Sequence, residues 1–315
     1  MVALAALALT LLGGCSLVGP AEPVVQAEEP WTFSRYEGHQ FVTAHFDLYS
    51  TLTDADFEKA LPAYLEAAYR EYARLIPPKK GEDQRLQTYV FNTRAQWERF
   101  AATRFPARFP VYRQIAAGGF SEGNMCVAYY IRRPYTLSVL AHEGMHQYVA
   151  QNCAVTLPAW LNEGLATYCE SFELPGDKVH FTPRRNTFRI NALRDALQSD
   201  TVLPLRAMLA TDAGAVIIEG QSVKTRTYYA QAWALVCYLR HGALGKYAGG
   251  FNKLLDDLST GDVPVMAQAA KIRAPSPSTT SFGEAVFRAY ITEDLDGFEE
   301  GFEGYLYDLA GFRQE

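Results

Sequence analysis

The chain has 315 residues, 49% of them hydrophobic and 20% charged, an ordinary globular composition with enough material for a sizeable core. Its formal charge is −6, from 29 Lys+Arg against 35 Asp+Glu, and no basic run exceeds a doublet. That excludes the electrostatic footprint of a nucleic-acid-binding surface.

Residues 1–14 carry no charge and are almost wholly apolar or small, a secretory signal in outline and too short for a comfortable membrane span. They lead into Leu12-Gly13-Gly14-Cys15, which resembles the lipobox of bacterial lipoproteins. The resemblance implies cleavage before Cys15, lipidation of that cysteine and membrane attachment in a bacterial cell envelope, facing the periplasm or the cell surface. Residues 15–30, rich in Pro, Ala and Glu, read as a flexible tether. Export permits disulfides, and among Cys126, Cys153, Cys169 and Cys237 the preferred pair is Cys126–Cys153, with four free thiols as the alternative.

Gln40 to Ser50 is aromatic, β-branched and partly alternating, so it predicts one strand. From Asp54 to Leu75, apolar residues at 57, 61, 64, 65, 68 and 72 mark an amphipathic helix, stopped by Pro77-Pro78. A strand over Arg85–Asn92 and a helix over 93–102 capped by Thr93 follow, then a strand over 125–131. Pro134 reads as a break and Thr136 as the cap of a helix over 137–152, with a further helix over 159–172. Beyond lie helices near 187–198, 205–210, 227–240, 245–258 and 295–309. Strands and helices come first, then helices alone. The order predicts an α+β fold: a mixed N-terminal sheet with active-site helices (31–172) and a helical C-terminal lobe (173–315) within one domain.

Into the helix over 137–152 falls His142-Glu143-Gly144-Met145-His146, an H-E-x-x-H pattern. Positions i and i+4 share a helix face, so both imidazoles reach one metal, and Glu143 projects toward water activated beside it. Zinc held by nitrogen and oxygen ligands lowers the pKa of water to about 7, within reach of a carboxylate base. A catalytic zinc takes a third protein ligand, and Glu163, at the start of the following helix, stands where it can complete the site.

H-E-x-x-H followed by Trp160-Leu161-Asn162-Glu163-Gly164-Leu165-Ala166 resembles the gluzincin zinc metallopeptidases, closely over 137–170 and loosely elsewhere. The resemblance implies a gluzincin-like fold, Zn2+ on His142, His146 and Glu163, Glu143 as general base, and a peptide or protein substrate. It implies too that the strand around 119–128 binds substrate backbone, and Thr167 or Glu170 would orient an imidazole. The family's C-terminal lobe commonly supplies an oxyanion donor, here Tyr228 in preference to Tyr229. Two departures stand out: Gly119-Phe120-Ser121-Glu122-Gly123-Asn124 only distantly echoes the aminopeptidases' amine-binding segment, and sixteen residues between His146 and Glu163 fall short of the usual spacing. Both point toward bacterial envelope members rather than the exopeptidases. A zinc amidase of cell-wall peptides, or a non-catalytic zinc-stabilised binding protein, would use the same residues. A Gly-x-Ser-x-Gly nucleophile elbow and a glycine-rich phosphate loop are both missing from the sequence.

Overall fold

The computed structural model describes residues 24–79, 81, 84–115, 118–176, 178–211 and 223–312. The signal segment and Cys15 lie outside them. The fold is mixed α+β, and no helix among the described residues is long and apolar enough to cross a membrane.

A six-stranded sheet is built from β1 (Ala27–Phe33), β2 (Tyr36–Val42), β3 (Phe46–Ser50), β4 (Leu86–Phe91), β5 (Gly119–Glu122) and β6 (Met125–Tyr129). Its order is β1-β2-β3-β4-β6-β5. The flanking pairs are antiparallel, while β3, β4 and β6 run parallel in the middle. The parallel pairing of β3 with β4 requires a crossover, and α1 (Ala55–Leu75) supplies it. Asp54 caps α1 by accepting from the Phe57 N–H.

Two strand expectations change. Gln40–Ser50 is a hairpin rather than one strand, because Thr43 turns the chain: its N–H donates to the Phe46 carbonyl and its hydroxyl accepts the Phe46 N–H. The sheet also begins at Ala27, inside the stretch read as tether. Residues 27–30 pair with residues 39–42 of β2, and the consecutive exposed Glu28, Glu29 and Pro30 mark an edge strand.

The sheet buries both faces. Phe46, Leu48, Leu86, Val90, Cys126 and Ala128 pack beneath α1 and α4 (Arg133–Asn152). On the opposite face Phe91, Val127 and Tyr129 meet Trp97 and Ala101 of α2 (Arg94–Arg104), and the Trp97 Nε1–H donates to the Val127 carbonyl at 3.1 Å. A short helix, α3 (Phe109–Tyr112), brings Tyr112 flat against Phe120, with ring centroids 3.9 Å apart.

After α4 and α5 (Ala159–Tyr168) comes a small hairpin of β7 (Phe172–Glu173) and β8 (His180–Phe181). The remaining helices are α6 (Thr187–Gln198), α7 (Leu205–Ala210), α8 (Val223–His241), α9 (Ala248–Asp257), α10 (Val263–Arg273), α11 (Phe282–Tyr290) and α12 (Leu295–Ala310). Helices α10 and α11 carry no expectation from the sequence. The predicted helix over 159–172 stops at Tyr168, where the Cys169 N–H turns back to the Ala166 and Thr167 carbonyls. The core is continuous across the two lobes: Trp160 of α5 packs on Phe287 of α11 and donates to the Gly283 carbonyl at 3.2 Å.

All four cysteines from 126 onward are free thiols, so the expected Cys126–Cys153 bridge is not formed. Cys126 lies within the field of Glu143, whereas Cys153 caps the far end of α4, about 15 Å further along the helix.

Candidate metal centre

Helix α4 starts earlier than the sequence implies. Pro134 occupies its first turn, where a missing N–H costs nothing, and Thr136 lies inside the helix with its hydroxyl accepting the Ile131 N–H at 3.0 Å. Three tyrosines then fasten the neighbouring elements together: Tyr64 and Tyr72 of α1 donate to the Leu137 and Ala141 carbonyls, and Tyr148 of α4 donates to the Ile76 carbonyl, at 2.7–2.8 Å. Each buried bond contributes roughly 1 kcal/mol, and together they fix the rotation of α4 on the sheet. That rotation carries His142 and His146 to the face that meets α5.

The predicted triad assembles. His142 Nε2 and His146 Nε2 lie 3.2 Å apart, and Glu163 Oε2 is 3.5 Å from the first and 3.4 Å from the second. One ligand atom from each residue falls within 4.8 Å of the others. Both Nδ1 atoms point away from the centre and are engaged, His142 with Glu170 Oε1 at 2.9 Å and His146 with Asn162 Oδ1 at 3.1 Å. Neutral imidazoles so engaged carry their protons on Nδ1 and turn unprotonated Nε2 atoms inward.

Burial and charge oppose one another across the centre. Burial alone would depress His142, but Glu163 and Glu170 raise it to about 10. Burial likewise opposes the charge on His146, and Glu163 reverses the shift. Glu163 is 5% exposed; burial resists its ionisation, yet His146 and His142 hold its carboxyl far below the usual range. Its Oε2 is buried, faced at 3.4–3.5 Å by the two imidazole nitrogens and by no other hydrogen-bond partner among the described residues. Two inward nitrogens and a buried carboxylate oxygen form a donor set that can hold a metal ion. Glu143 sits alongside, its pKa pushed up by burial against the pull of both imidazoles.

Glu170 does what was expected of it, and an unpredicted residue explains how. The Arg189 Nε donates to Glu170 Oε2 at 2.8 Å and its Nη2 to Oε1 at 2.5 Å, while the Asn186 Nδ2 donates to Oε2 at 2.9 Å. Burial would raise Glu170, but the Arg189 charge outweighs it and holds the group at about 2. The signal for Arg189 was present: in α6 it shares the inward stripe with Leu193 and Ala196, where an arginine needs a partner. Thr167, the other residue expected to orient an imidazole, does not: its hydroxyl donates to the Glu163 and Gly164 carbonyls within α5.

Both tyrosines of α8 lie in the field of Glu163. Tyr228 is 2% exposed; its buried hydroxyl has no hydrogen-bond partner among the described residues. Tyr229 lies edge-on to His142, with ring centroids 6.1 Å apart, and beneath the Arg189 guanidinium at 5.2 Å. The charges of Glu163 and Glu143 act on it too. Packed against α4 runs β5, an edge strand that pairs with β6 alone among the described residues; the β5 residue Glu122 accepts from Tyr112.

Residues 136–259 match the model of a family described as a protein of unknown function (DUF1570). That segment spans both histidines, Glu143, Glu163, Glu170, Arg189 and both tyrosines, but none of the six-stranded sheet. No curated protein matches the chain.

Proposed function

We propose that this protein is a zinc-dependent peptidase of gluzincin type, lipid-anchored through Cys15 in a bacterial cell envelope. The observation that carries the reading is the convergence of two inward Nε2 atoms on the buried Oε2 of Glu163, with Glu143 beside them. His142, His146 and Glu163 hold the ion, which when bound supplies Lewis-acid polarisation of a substrate carbonyl and of water.

The chain's own groups do the rest. Glu143 is partly buried with a raised pKa, which suits a carboxylate that takes a proton from attacking water and returns it to the leaving amine nitrogen. Tyr229, in place of the expected Tyr228, donates a phenolic hydrogen bond to the oxyanion, because its ring lies edge-on to His142. The free edge of β5 pairs with extended substrate backbone and presents the scissile amide to these groups.

The test is hydrolysis of a quenched peptide library by the purified chain, with chelation, zinc restoration and the Glu143→Gln variant. The proposal expects activity that chelation removes and zinc restores. It also expects a variant that binds zinc but is slower by about 100-fold or more. Full activity in the variant sinks the mechanism.

A further inference from the structure

A second cavity lies on the flank of α1, away from every residue of the metal centre. It is a groove of about 390 Å³, open to solvent along its rim. Its floor and far wall are apolar: Ala67 on the helix, Val179 and Phe181 on the β7–β8 hairpin. The hairpin is seated firmly, since Phe172 and Phe181 pack on Tyr64 of α1 with centroids 5.1 Å and 6.3 Å away.

The rim is cationic. Arg70 and Arg74 stand one helical turn apart on the same face of α1, and His180 faces them from β8. Arg70 makes no hydrogen bond or ion pair with any described residue. Arg74 spends one Nη1–H on Glu71 Oε2 at 2.6 Å, but its side chain is 72% exposed and its other donors are free. Glu71 is the one acid of the lining, and its carboxylate is committed inward, to Arg74 and to the field of Arg240. Two guanidinium groups against a single, already engaged carboxylate leave a net positive rim over an apolar floor.

We propose that this cavity binds a small organic anion, its acidic head, carboxylate or phosphate, held by Arg70 and Arg74 and its short apolar body laid against Val179 and Phe181. Guanidinium forks bind both head groups in the same two-point manner, and the apolar wall distinguishes such a ligand from a free inorganic ion. The inference is independent of the zinc reading, because no residue of the cavity belongs to the metal centre.

Calorimetric titration of the full chain with hexanoate, hexyl phosphate, inorganic phosphate and hexylammonium tests it. Binding of at least one of the first two is expected, and the tighter of them identifies the head group. Inorganic phosphate should bind about tenfold more weakly or worse, and hexylammonium not at all. Arg70→Gln should weaken the bound probe about tenfold or more, and Arg70→Lys should restore part of the loss. Because Arg70 has no hydrogen-bond or ion-pair partner among the described residues, thermal melting of these variants should match that of the unaltered chain, separating lost binding from lost fold. No binding by either hexyl probe, inorganic phosphate binding as well as hexyl phosphate (an adventitious ion only), or indifference to Arg70→Gln overturns the proposal. Peptidase activity enters none of these readings.

Discussion

Glu170 shows how much of the site's chemistry rests on single contacts. Its carboxylate accepts from His142 Nδ1, Asn186 and both arms of Arg189 in a buried setting, and the Arg189 charge, with help from His142, makes ionisation there tolerable. Arg189→Met should therefore leave an unpaired buried carboxylate, loosen His142 and weaken zinc binding about 10–100-fold by chelator competition. Unchanged affinity would reduce Arg189 to a packing residue. The tyrosines give a second residue-level contrast. Tyr229→Phe should keep zinc and lower kcat by about 100-fold or more. Tyr228→Phe should leave kcat unchanged and hold or raise stability, since it deletes a buried hydroxyl without a partner among the described residues. The reverse ranking would restore Tyr228 as the oxyanion donor. Protonation sets a third expectation. In the metal-free centre His142 is raised to about 10, so at neutral pH an ion must displace its proton. Zinc affinity should then rise between pH 6 and 8 by roughly tenfold per unit for each proton displaced, read against a chelator of known pH dependence. A flat profile would contradict the charge balance described for the site.

At the scale of elements, the close approach of α5 to α8 places Glu163. A Cβ on Gly164 would stand 2.7 Å from Val236 Cγ2 and 2.8 Å from the Ala232 carbonyl oxygen, so only glycine permits this spacing. Gly164→Ala should cost about 1–3 kcal/mol in urea unfolding and weaken zinc binding with it. Val236→Ala in the same chain should rescue little of this, because the carbonyl contact remains; full rescue would show that the side chain alone sets the distance. The same elements explain what could be read in advance. His142, Glu143 and His146 were legible because helical periodicity alone puts them together, and Glu163 because it follows within one short loop. Helices such as α6 and α7 were legible from apolar spacing. What escaped depends on contacts that cross elements. Arg189 meets Glu170 across an intervening hairpin, Tyr228 and Tyr229 differ only in which neighbour α8 turns them toward, and the bend at Thr43 is made by one hydroxyl.

Over the whole molecule, one continuous core joins the sheet, the motif helix and the C-terminal helices, so the metal centre sits inside the packing rather than on a detachable lobe. Its ligands come from α4 and α5, and their supports from Asn186 and α6. A bound ion therefore stabilises the fold as a unit, by about 4 kcal/mol when free zinc exceeds its Kd about a thousandfold. Chelation should lower the melting temperature in one cooperative transition, whereas a melting curve that ignores chelator would mean that the helices hold their places without the ion. The most direct test of the central claim is the zinc content of purified chain by elemental mass spectrometry, set beside the His146→Ala and Glu163→Gln variants. The account predicts one zinc per unaltered chain and none in either variant, with helical content retained. An unaltered chain that takes up no zinc, or variants that keep it, would contradict the account.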